Sequence, residues 1–183
     1  LPKASMSVWD KLFKKKLFEG LRFPEKIKYE DFALMPQILI RAEKIVVIED
    51  VLYYYFWRDG STTNQKKINR DILNAQHILE ESELKNICPN MLQMFFVKNV
   101  MGSLVWEILK EKNSFNEVSK IMEEGLKKYP NLLKSDIGLL MGKNKKQFGI
   151  YLVQGNYKKA QKYVLRYEKV AIFAKKLRQV LGK

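Results

Sequence analysis

Two adjacent carboxylates, Glu30 and Asp31, stand where a basic stretch of the chain gives way to the largely apolar run 32–40. A carboxylate there can act as a general base that takes a proton from an attacking hydroxyl group. It can also cap the first turn of a helix and complement the helix dipole. The two roles are compatible, because a helix N-terminus fixes the direction of the carboxylate, and the flanking residues have to decide between them.

Other reactive residue types are scarce in this sequence. The single histidine, His77, and the single cysteine, Cys88, argue against a zinc site, a His-dependent triad and an internal disulfide framework. We expect His77 at the surface of a helix and Cys88 as a small packed thiol. The six aspartates form no Asp-x-Asp, and no glycine cluster forms a phosphate-binding loop. The sequence therefore predicts no metal site and no nucleotide site within this chain.

The composition favours a folded domain that meets anionic partners. The chain has 183 residues, of which 46% are hydrophobic and 12% aromatic, enough to bury a sizeable core. An excess of 34 Lys and Arg over 20 Asp and Glu gives a net charge of +14. Nucleic acid, acidic lipid headgroups and phosphorylated substrates all fit that charge. A single cysteine suits a reducing compartment, so we expect a cytoplasmic protein.

The elements around the carboxylate pair are predicted to be mixed. Hydrophobic spacing predicts a short helix over 9–18 that ends at Gly20. A second helix should begin near Asp31, with a distorted first turn or a kink because Pro36 lacks an N–H. Two β-rich runs, "KIVVIED" at 44–50 and "LYYYFWR" at 52–58, predict two short strands.

After about residue 62 the pattern is helical. A face over 68–79 predicts one helix, and the apolar run 91–109 predicts a buried helix because its polar and charged residues disfavour a membrane span. Ser114 and Glu117 form a capping box for a helix that should end before Pro130. Breaks are expected at Gly142 and Gly155. The fold class is thus mainly α with a small β portion, divided into segments 1–62 and 63–183.

The last predicted helix is basic and amphipathic. Its apolar positions are Val164, Tyr167, Val170, Ala171, Ala174, Leu177 and Leu181, and lysine and arginine populate the other side. Such a helix can lie on an anionic bilayer, or it can pack on a core with a solvated basic face. The sequence leaves both alternatives open.

Six ordered elements carry a resemblance to a known family. They are Lys11-Leu12-Phe13, Arg22-Phe23-Pro24, Tyr29-Glu30-Asp31, the run 44–49, Tyr53-Tyr54-Tyr55 with Arg58, and Gly60-Ser61. Together they resemble the end of the catalytic domain of bacterial family 2 glycosyltransferases, enzymes of the GT-A type that build surface polysaccharides. The resemblance covers about the first third of the chain, and it implies that 1–62 is the acceptor side of a GT-A domain followed by a helical bundle-like region.

The resemblance also implies roles for single residues. Asp31 matches the general base of inverting transfer, and Glu30 stands beside it in a supporting position. Trp9, Lys11, Tyr54, Trp57 and Arg58 fall in the segment that contacts substrates. The family holds its nucleotide-sugar donor and a divalent cation, Mg or Mn, in a half that precedes this segment. We therefore expect a fragment of a longer enzyme, inactive alone, whose acceptor is a saccharide or a lipid-linked sugar.

Alternatives to a transferase remain at this point. The net charge of +14 also suits a basic helical module that binds nucleic acid or a protein partner without catalysis. Nucleic acid is disfavoured because the lysines are spread along the chain and no nucleic-acid-binding motif occurs. A basic last helix would associate a cytoplasmic bacterial enzyme with a membrane.

Overall fold

The computed structural model of the chain describes residues 5–56, 68–134 and 136–180. Within these ranges every regular element is helical, which confirms the mainly helical class. The α-helices are α1 Glu30–Leu39, α2 Asp71–Glu81, α3 Leu84–Ile87, α4 Pro89–Phe95, α5 Trp106–Ile108, α6 Phe115–Lys128, α7 Ile137–Met141, α8 Lys146–Val153 and α9 Tyr157–Val180. A π-helical segment, Phe96–Val105, joins α4 to α5, and single 3-10 turns lie at Lys15–Phe18, Pro130–Leu133 and Lys143–Lys145.

The chain divides into two compact units, Leu1–Leu92 and Gln93–Lys183. The domain boundary expected near residue 62 lies outside the described residues and stays a prediction. In the first unit α1 packs on α2, which lies beyond that position in the chain.

Helix α1 is the centre of the first unit's core. It buries the side chains of seven of its ten residues, Phe32, Ala33, Leu34, Met35, Pro36, Ile38 and Leu39. The segment before it covers part of this surface with Met6, Val8, Phe13, Leu17, Phe18 and Leu21. The helix continues through Pro36 to Leu39, and its start is marked by Tyr29 in the left-handed region at φ 67°. Burial of apolar side chains, about 1.5–3 kcal/mol for each large one, explains why a proline is tolerated inside it.

The predicted helix over 9–18 is wrong for most of its length. Only Lys15–Phe18 form a 3-10 turn, and Leu12 is fully exposed. Phe13 and Phe18 pack edge to face, 5.4 Å between ring centroids, against the α1 core, and this tertiary packing overrides the local helical spacing. Gly20 reverses the chain at φ 71°, where the helix was expected to end.

The predicted strands are also absent from the described residues. Residues 44–56 form no strand, and Trp57 and Arg58, at the end of the second run, lie outside the described ranges. Ten large apolar side chains between Ile45 and Phe56 are exposed. β-propensity is realised only when a neighbouring strand accepts the backbone hydrogen bonds, and no described part of the chain offers such an edge.

The second unit is a cluster of helices around the 96–109 segment. Val97, Val100, Met101, Val105, Ile108 and Leu109 have no exposed surface, which confirms the buried helix predicted over 91–109. No helix in the described ranges is long and apolar enough to cross a membrane. Gly142 at φ 83° and Gly155 at φ 68° interrupt the helices as expected.

The capping box predicted for α6 is wrong, although the helix begins and ends where expected. Ser114 precedes α6 with helical φ and ψ, so its hydroxyl makes no capping hydrogen bond. Its Oγ is buried without a partner in the described chain. A serine caps from an extended conformation. Here Asn113 at φ 60° makes the turn instead, and the helix ends at Lys128, two residues before Pro130.

Close packing of α6 on the π-helical segment yields a test of the second unit's core. Gly125 lies against the ring of Phe96, and a Cβ at this position would overlap that ring. We expect Gly125→Ala to lower the free energy of unfolding by about 1–3 kcal/mol. Urea denaturation followed by circular dichroism measures it.

The matched background is Phe96→Leu, whose shorter side chain leaves room for the new methyl group. There Gly125→Ala should be neutral or stabilising by up to ~1 kcal/mol, because alanine favours helix over glycine. An equal loss of stability in both backgrounds would mean that the Phe96 contact is not the cause.

Candidate functional site

The predicted carboxylate pair occupies the first turn of α1. Glu30 and Asp31 are its first two residues, and Tyr29 precedes them as the N-cap without a side-chain capping bond. The backbone carbonyl of Tyr29 accepts the N–H of Ala33 at 3.0 Å. Asp31 Oδ1 accepts the N–H of Phe32, a donor in the first turn of the helix, at 2.7 Å. Asp31 is therefore held by the helix N-terminus without being its N-cap.

The two carboxylates differ in their surroundings. Asp31 is half-buried, whereas Glu30 is exposed. No described residue donates a hydrogen bond to Asp31 Oδ2. One oxygen of Asp31 is thus fixed to the backbone, and fixing one oxygen of a carboxylate is an arrangement that suits a positioned general base.

An aspartate that the sequence analysis did not select fixes the chain just before this turn. Asp71 Oδ2, at the start of α2, accepts the backbone N–H of Lys28 at 3.0 Å. Asn69 Oδ1 in turn accepts the N–H of Asp71 at 2.9 Å. The Asn-x-Asp spacing of Asn69 and Asp71 is a sequence signal for a helix start. The contact of Asp71 with Lys28, 43 residues away in sequence, has no such signal. The start of α2 therefore helps to position the start of α1.

The structure brings Trp9 together with two of the three tyrosines. The centroid of the Trp9 ring lies 4.7 Å from that of Tyr53 and 5.2 Å from that of Tyr55. Tyr54 is 74% exposed, as expected for the residue that points to the other side of an extended segment. Since Trp9 itself remains 45% exposed, the cluster offers an accessible aromatic surface.

Lys11 is bound locally in this structure. Its Nζ donates to the Ser7 carbonyl at 2.7 Å and to Asp10 Oδ1 at 2.5 Å. An ammonium group with two such partners is not presented to a phosphate. Trp57 and Arg58, the other predicted substrate contacts, lie outside the described residues, and their roles stay predictions.

The described residues do not provide a site for the divalent cation that the resemblance implies. Nowhere in ranges 5–56, 68–134 and 136–180 do three His, Cys, Asp or Glu side chains gather in a way that could hold a metal ion. His77 is exposed on α2, as predicted, and Cys88 is half-buried beside Pro89. No step of a mechanism can be built on a metal held by these side chains.

The most connected charged cluster lies in the second unit, around Trp106. Its indole Nε1 donates to Glu168 Oε1 at 3.0 Å, and Lys110 Nζ lies 2.9 Å from the same oxygen. Lys110 also pairs with Glu107 at 2.8 Å. Lys145 Nζ lies over the Trp106 ring, 4.7 Å from its centroid, and donates to the Gly102 carbonyl. These groups satisfy one another, so the cluster fixes α9 to α5 and offers no obvious ligand position.

The pKa values in this cluster follow from those contacts. Hydrogen bonds from Lys110 and Trp106 lower the pKa of Glu168 below its ordinary value of 4.5. Burial lowers the pKa of Lys145. Burial also acts to lower the pKa of Lys110, but the hydrogen bonds and charges of Glu107 and Glu168 outweigh it and raise the pKa.

An open depression of about 440 Å³ in the second unit was not anticipated. It is lined by Phe115, Gln154, Gly155, Asn156, Tyr157 and Lys158. None of these is a carboxylate, and none belongs to the predicted site. The depression therefore adds nothing to the general-base chemistry at α1.

Comparison with known proteins finds one glycosyltransferase. The chain is 24% identical over 127 residues to the cholesterol galactosyltransferase of Borreliella burgdorferi. The aligned region covers 58% of this chain and 35% of that protein. The chain thus spans about a third of the length of the curated relative that it matches. No family model and no solved structure matches the chain. The similarity supports a general glycosyltransferase assignment, and it specifies neither family 2 nor the GT-A fold.

The clamp between Asp71 and Lys28 gives one test of the site's architecture. We expect Asp71→Ala to lower the free energy of unfolding by about 1–2 kcal/mol, because the Lys28 N–H loses its acceptor and α2 loses an acidic first-turn residue. Hydrogen exchange at the Lys28 amide should become faster. Asp50→Ala, which removes an exposed aspartate, is the matched control. Unchanged exchange at Lys28 would refute the clamp.

The lowered pKa of Glu168 predicts a pH dependence of stability. A carboxyl group with a depressed pKa in the folded state stabilises it above pH 4.5, and this contribution is lost as the pH falls through the folded-state pKa. Glu168→Gln should therefore be less stable than wild type at neutral pH and show a flatter loss of stability on acidification. Denaturation at a series of pH values, followed by Trp106 fluorescence, measures both effects. Glu124→Gln, which replaces an exposed carboxylate on α6, should leave the dependence of stability on pH unchanged. If Glu168→Gln lost stability on acidification as steeply as wild type, Glu168 would not be the source of that dependence.

Proposed function

We propose that this chain is the acceptor-side and C-terminal part of a family 2, GT-A glycosyltransferase that transfers a sugar from a nucleotide-sugar donor to an acceptor hydroxyl. The observation that carries the proposal is the half-buried Asp31 at the first turn of α1, with Oδ1 held by the Phe32 N–H. The similarity to a galactosyltransferase supports the reaction class. The six sequence elements that resemble family 2 supply the finer assignment.

In the proposed reaction Asp31 acts as the general base of an inverting displacement. Its carboxylate takes the proton of the acceptor hydroxyl as the oxygen forms a bond to the anomeric carbon. The bond from that carbon to the nucleoside diphosphate breaks at the same time, and the diphosphate leaves with the electron pair. Fixing one carboxylate oxygen on the helix N-terminus limits the positions that the other can take, which is how a positioned base gains its effect.

The exposed segment 44–56 is proposed as a contact surface for the part of the longer enzyme that binds the nucleotide-sugar donor. Ten large apolar side chains in a β-prone sequence are exposed there. An exposed apolar segment of this length is normally covered by protein, because apolar side chains and backbone groups outside a helix or sheet favour association with another chain or domain. We propose that it pairs with the nucleotide-binding half of the longer transferase, which would also supply the divalent cation and the diphosphate contacts.

The aromatic cluster of Trp9, Tyr53 and Tyr55 is proposed as an acceptor contact. Aromatic faces pack against the apolar C–H faces of sugars and of lipids alike, so this surface suits both acceptor classes. The relative's name specifies cholesterol, a lipid with a hydroxyl group, in place of a saccharide. The proposed role in surface polysaccharide synthesis and a role in lipid glycosylation therefore both have to be assayed.

Replacement of the proposed base tests the mechanism in the full-length enzyme. We expect Asp31→Asn to reduce kcat by about a hundredfold to ten-thousandfold, because the amide cannot accept the hydroxyl proton. The backbone bond from Phe32 to Oδ1 can be kept, so the fold and donor binding should change little. Turnover of a panel of nucleotide sugars with saccharide and lipid acceptors measures kcat, and calorimetry measures donor affinity.

Two variants serve as controls for this experiment. Glu30→Gln should cause a smaller loss than Asp31→Asn, and Glu124→Gln, at an exposed position on α6, should have wild-type kcat. Wild-type turnover in Asp31→Asn would remove Asp31 from the mechanism. The 183-residue chain alone should show no transfer.

A further inference from the structure

Helix α9 changes its surroundings part-way along its length. Its first half packs into the second unit through Ala160 and Val164, which are completely buried. Gln161 Nε2 donates to the Leu109 carbonyl at 3.0 Å, and Tyr163 donates to the Asn144 carbonyl at 2.7 Å. Glu168, bound to Trp106 and Lys110, is the last of these anchors among the described contacts. The helix is therefore tied to its unit as far as Glu168.

Beyond Glu168 the helix continues with almost all of its surface exposed. From residue 169 to 179 only Ala174 is half-buried, and every other residue is exposed. Val170 is 61% exposed and Phe173 is 64% exposed, and Leu177 is exposed too. Spacings of three and four residues place these three on one face. We call Val170, Phe173 and Leu177 the exposed face; Leu181, which the spacing predicts on the same side, lies outside the described residues.

The charges around the exposed face have one sign. Lys169 and Lys176 lie along one edge of it, and Arg178 lies along the other. The sequence of α9 contains eight lysines and arginines and a single carboxylate. That carboxylate, Glu168, is turned toward Trp106 and Lys110. An apolar face bordered by basic residues whose long side chains can extend toward water matches an interfacial lipid-binding helix.

We propose that the part of α9 after Glu168 binds the surface of an anionic lipid bilayer. Val170, Phe173 and Leu177 enter the boundary between headgroups and acyl chains, and Lys169, Lys176 and Arg178 meet the lipid phosphates. Charge complementarity selects this occupant, since the net charge of +14 on the chain is matched by an anionic surface. The proposal does not depend on the glycosyltransferase assignment.

Two other occupants fit the observations less well. A second copy of the chain would bring one strongly basic helix against another, and Glu168, the single carboxylate of α9, is already bound to Trp106 and Lys110. Nucleic acid would satisfy the lysines but leaves Phe173 and Leu177 without a role. Both are distinct outcomes of the experiment below.

The test is sedimentation of the 183-residue chain with two kinds of vesicle, one of phosphatidylcholine and one of phosphatidylcholine and phosphatidylglycerol in equal parts. We expect binding to the anionic vesicles and little binding to the neutral ones. The double variant Phe173→Ser, Leu177→Ser should lower the partition coefficient by about tenfold or more. Lys169→Gln, Lys176→Gln should lower it by about 25-fold, since each basic residue near the surface contributes roughly fivefold.

Matched variants separate this face from the rest of the surface. Lys120→Gln, Lys127→Gln on α6 removes the same charge and should leave vesicle binding nearly unchanged. Leu139→Ser removes an exposed leucine from α7 and should also leave it unchanged. Circular dichroism confirms that each variant is folded.

Four results would overturn the proposal. These are equal binding to both vesicle types, equal losses in the α6 controls, a lipid-free dimer that dissociates in Phe173→Ser, Leu177→Ser, and binding to duplex DNA without binding to anionic vesicles. The third would assign the face to a second copy, and the last would assign the lysines to nucleic acid. Loss of vesicle binding confined to the α9 variants would support the proposal.

Discussion

The packing of α1 constrains everything else in the first unit. Seven of its ten side chains are buried, so the helix presents almost no solvated face along its length. Apart from the half-buried Gln37, only its first turn, with Glu30 and Asp31, reaches the surface. Polar chemistry on this helix is therefore confined to its N-terminus, where free backbone N–H groups also stabilise a carboxylate. The burial of α1 therefore both forms the core of the first unit and leaves the candidate base, Asp31, at the start of the helix.

The entry into α1 shows how that first turn is kept in place. Tyr29 adopts a left-handed conformation that costs energy for a residue with a side chain. The Lys28 N–H bond to Asp71 and the Phe32 N–H bond to Asp31 hold the chain on either side of it. A strained residue persists only when its neighbours over-determine it, and such residues cluster at functional sites. The strain is consistent with a turn selected for the direction of Asp31.

The sequence predicted those parts of the fold whose cause is local. The face formed by Ile72, Ala75 and Leu79 was predicted from spacing alone, and all three are buried on α2. Gly142 and Gly155 break helices because their positive φ is a property of the residue itself. Asp31 was predicted at the start of a helix because an acidic residue before an apolar run has a local reason to be there.

The parts that the sequence mispredicted depend on partners. Phe13 and Phe18 were read as one helical stripe, but the α1 core determines where they go. The Ser114 capping box failed because its backbone is helical where a cap needs an extended conformation. The contact of Asp71 with Lys28 is long-range, so no pattern within either segment specifies it. The strands did not form over the described residues 44–56 because β-prone residues need an edge, and none is offered by the described chain.

The two exposed apolar regions of this chain call for different occupants, for a reason that lies in the backbone. Along 44–56 the chain forms neither a helix nor a strand, so its N–H and C=O groups lack the partners that a helix or a sheet would supply. A bilayer interior cannot supply those hydrogen bonds, whereas another protein strand can. In α9 the helix satisfies its own backbone, so Val170, Phe173 and Leu177 can enter an apolar phase without leaving polar groups unpaired. The backbone therefore favours protein for the first region and lipid for the second, and a transferase that acts near a membrane would need both.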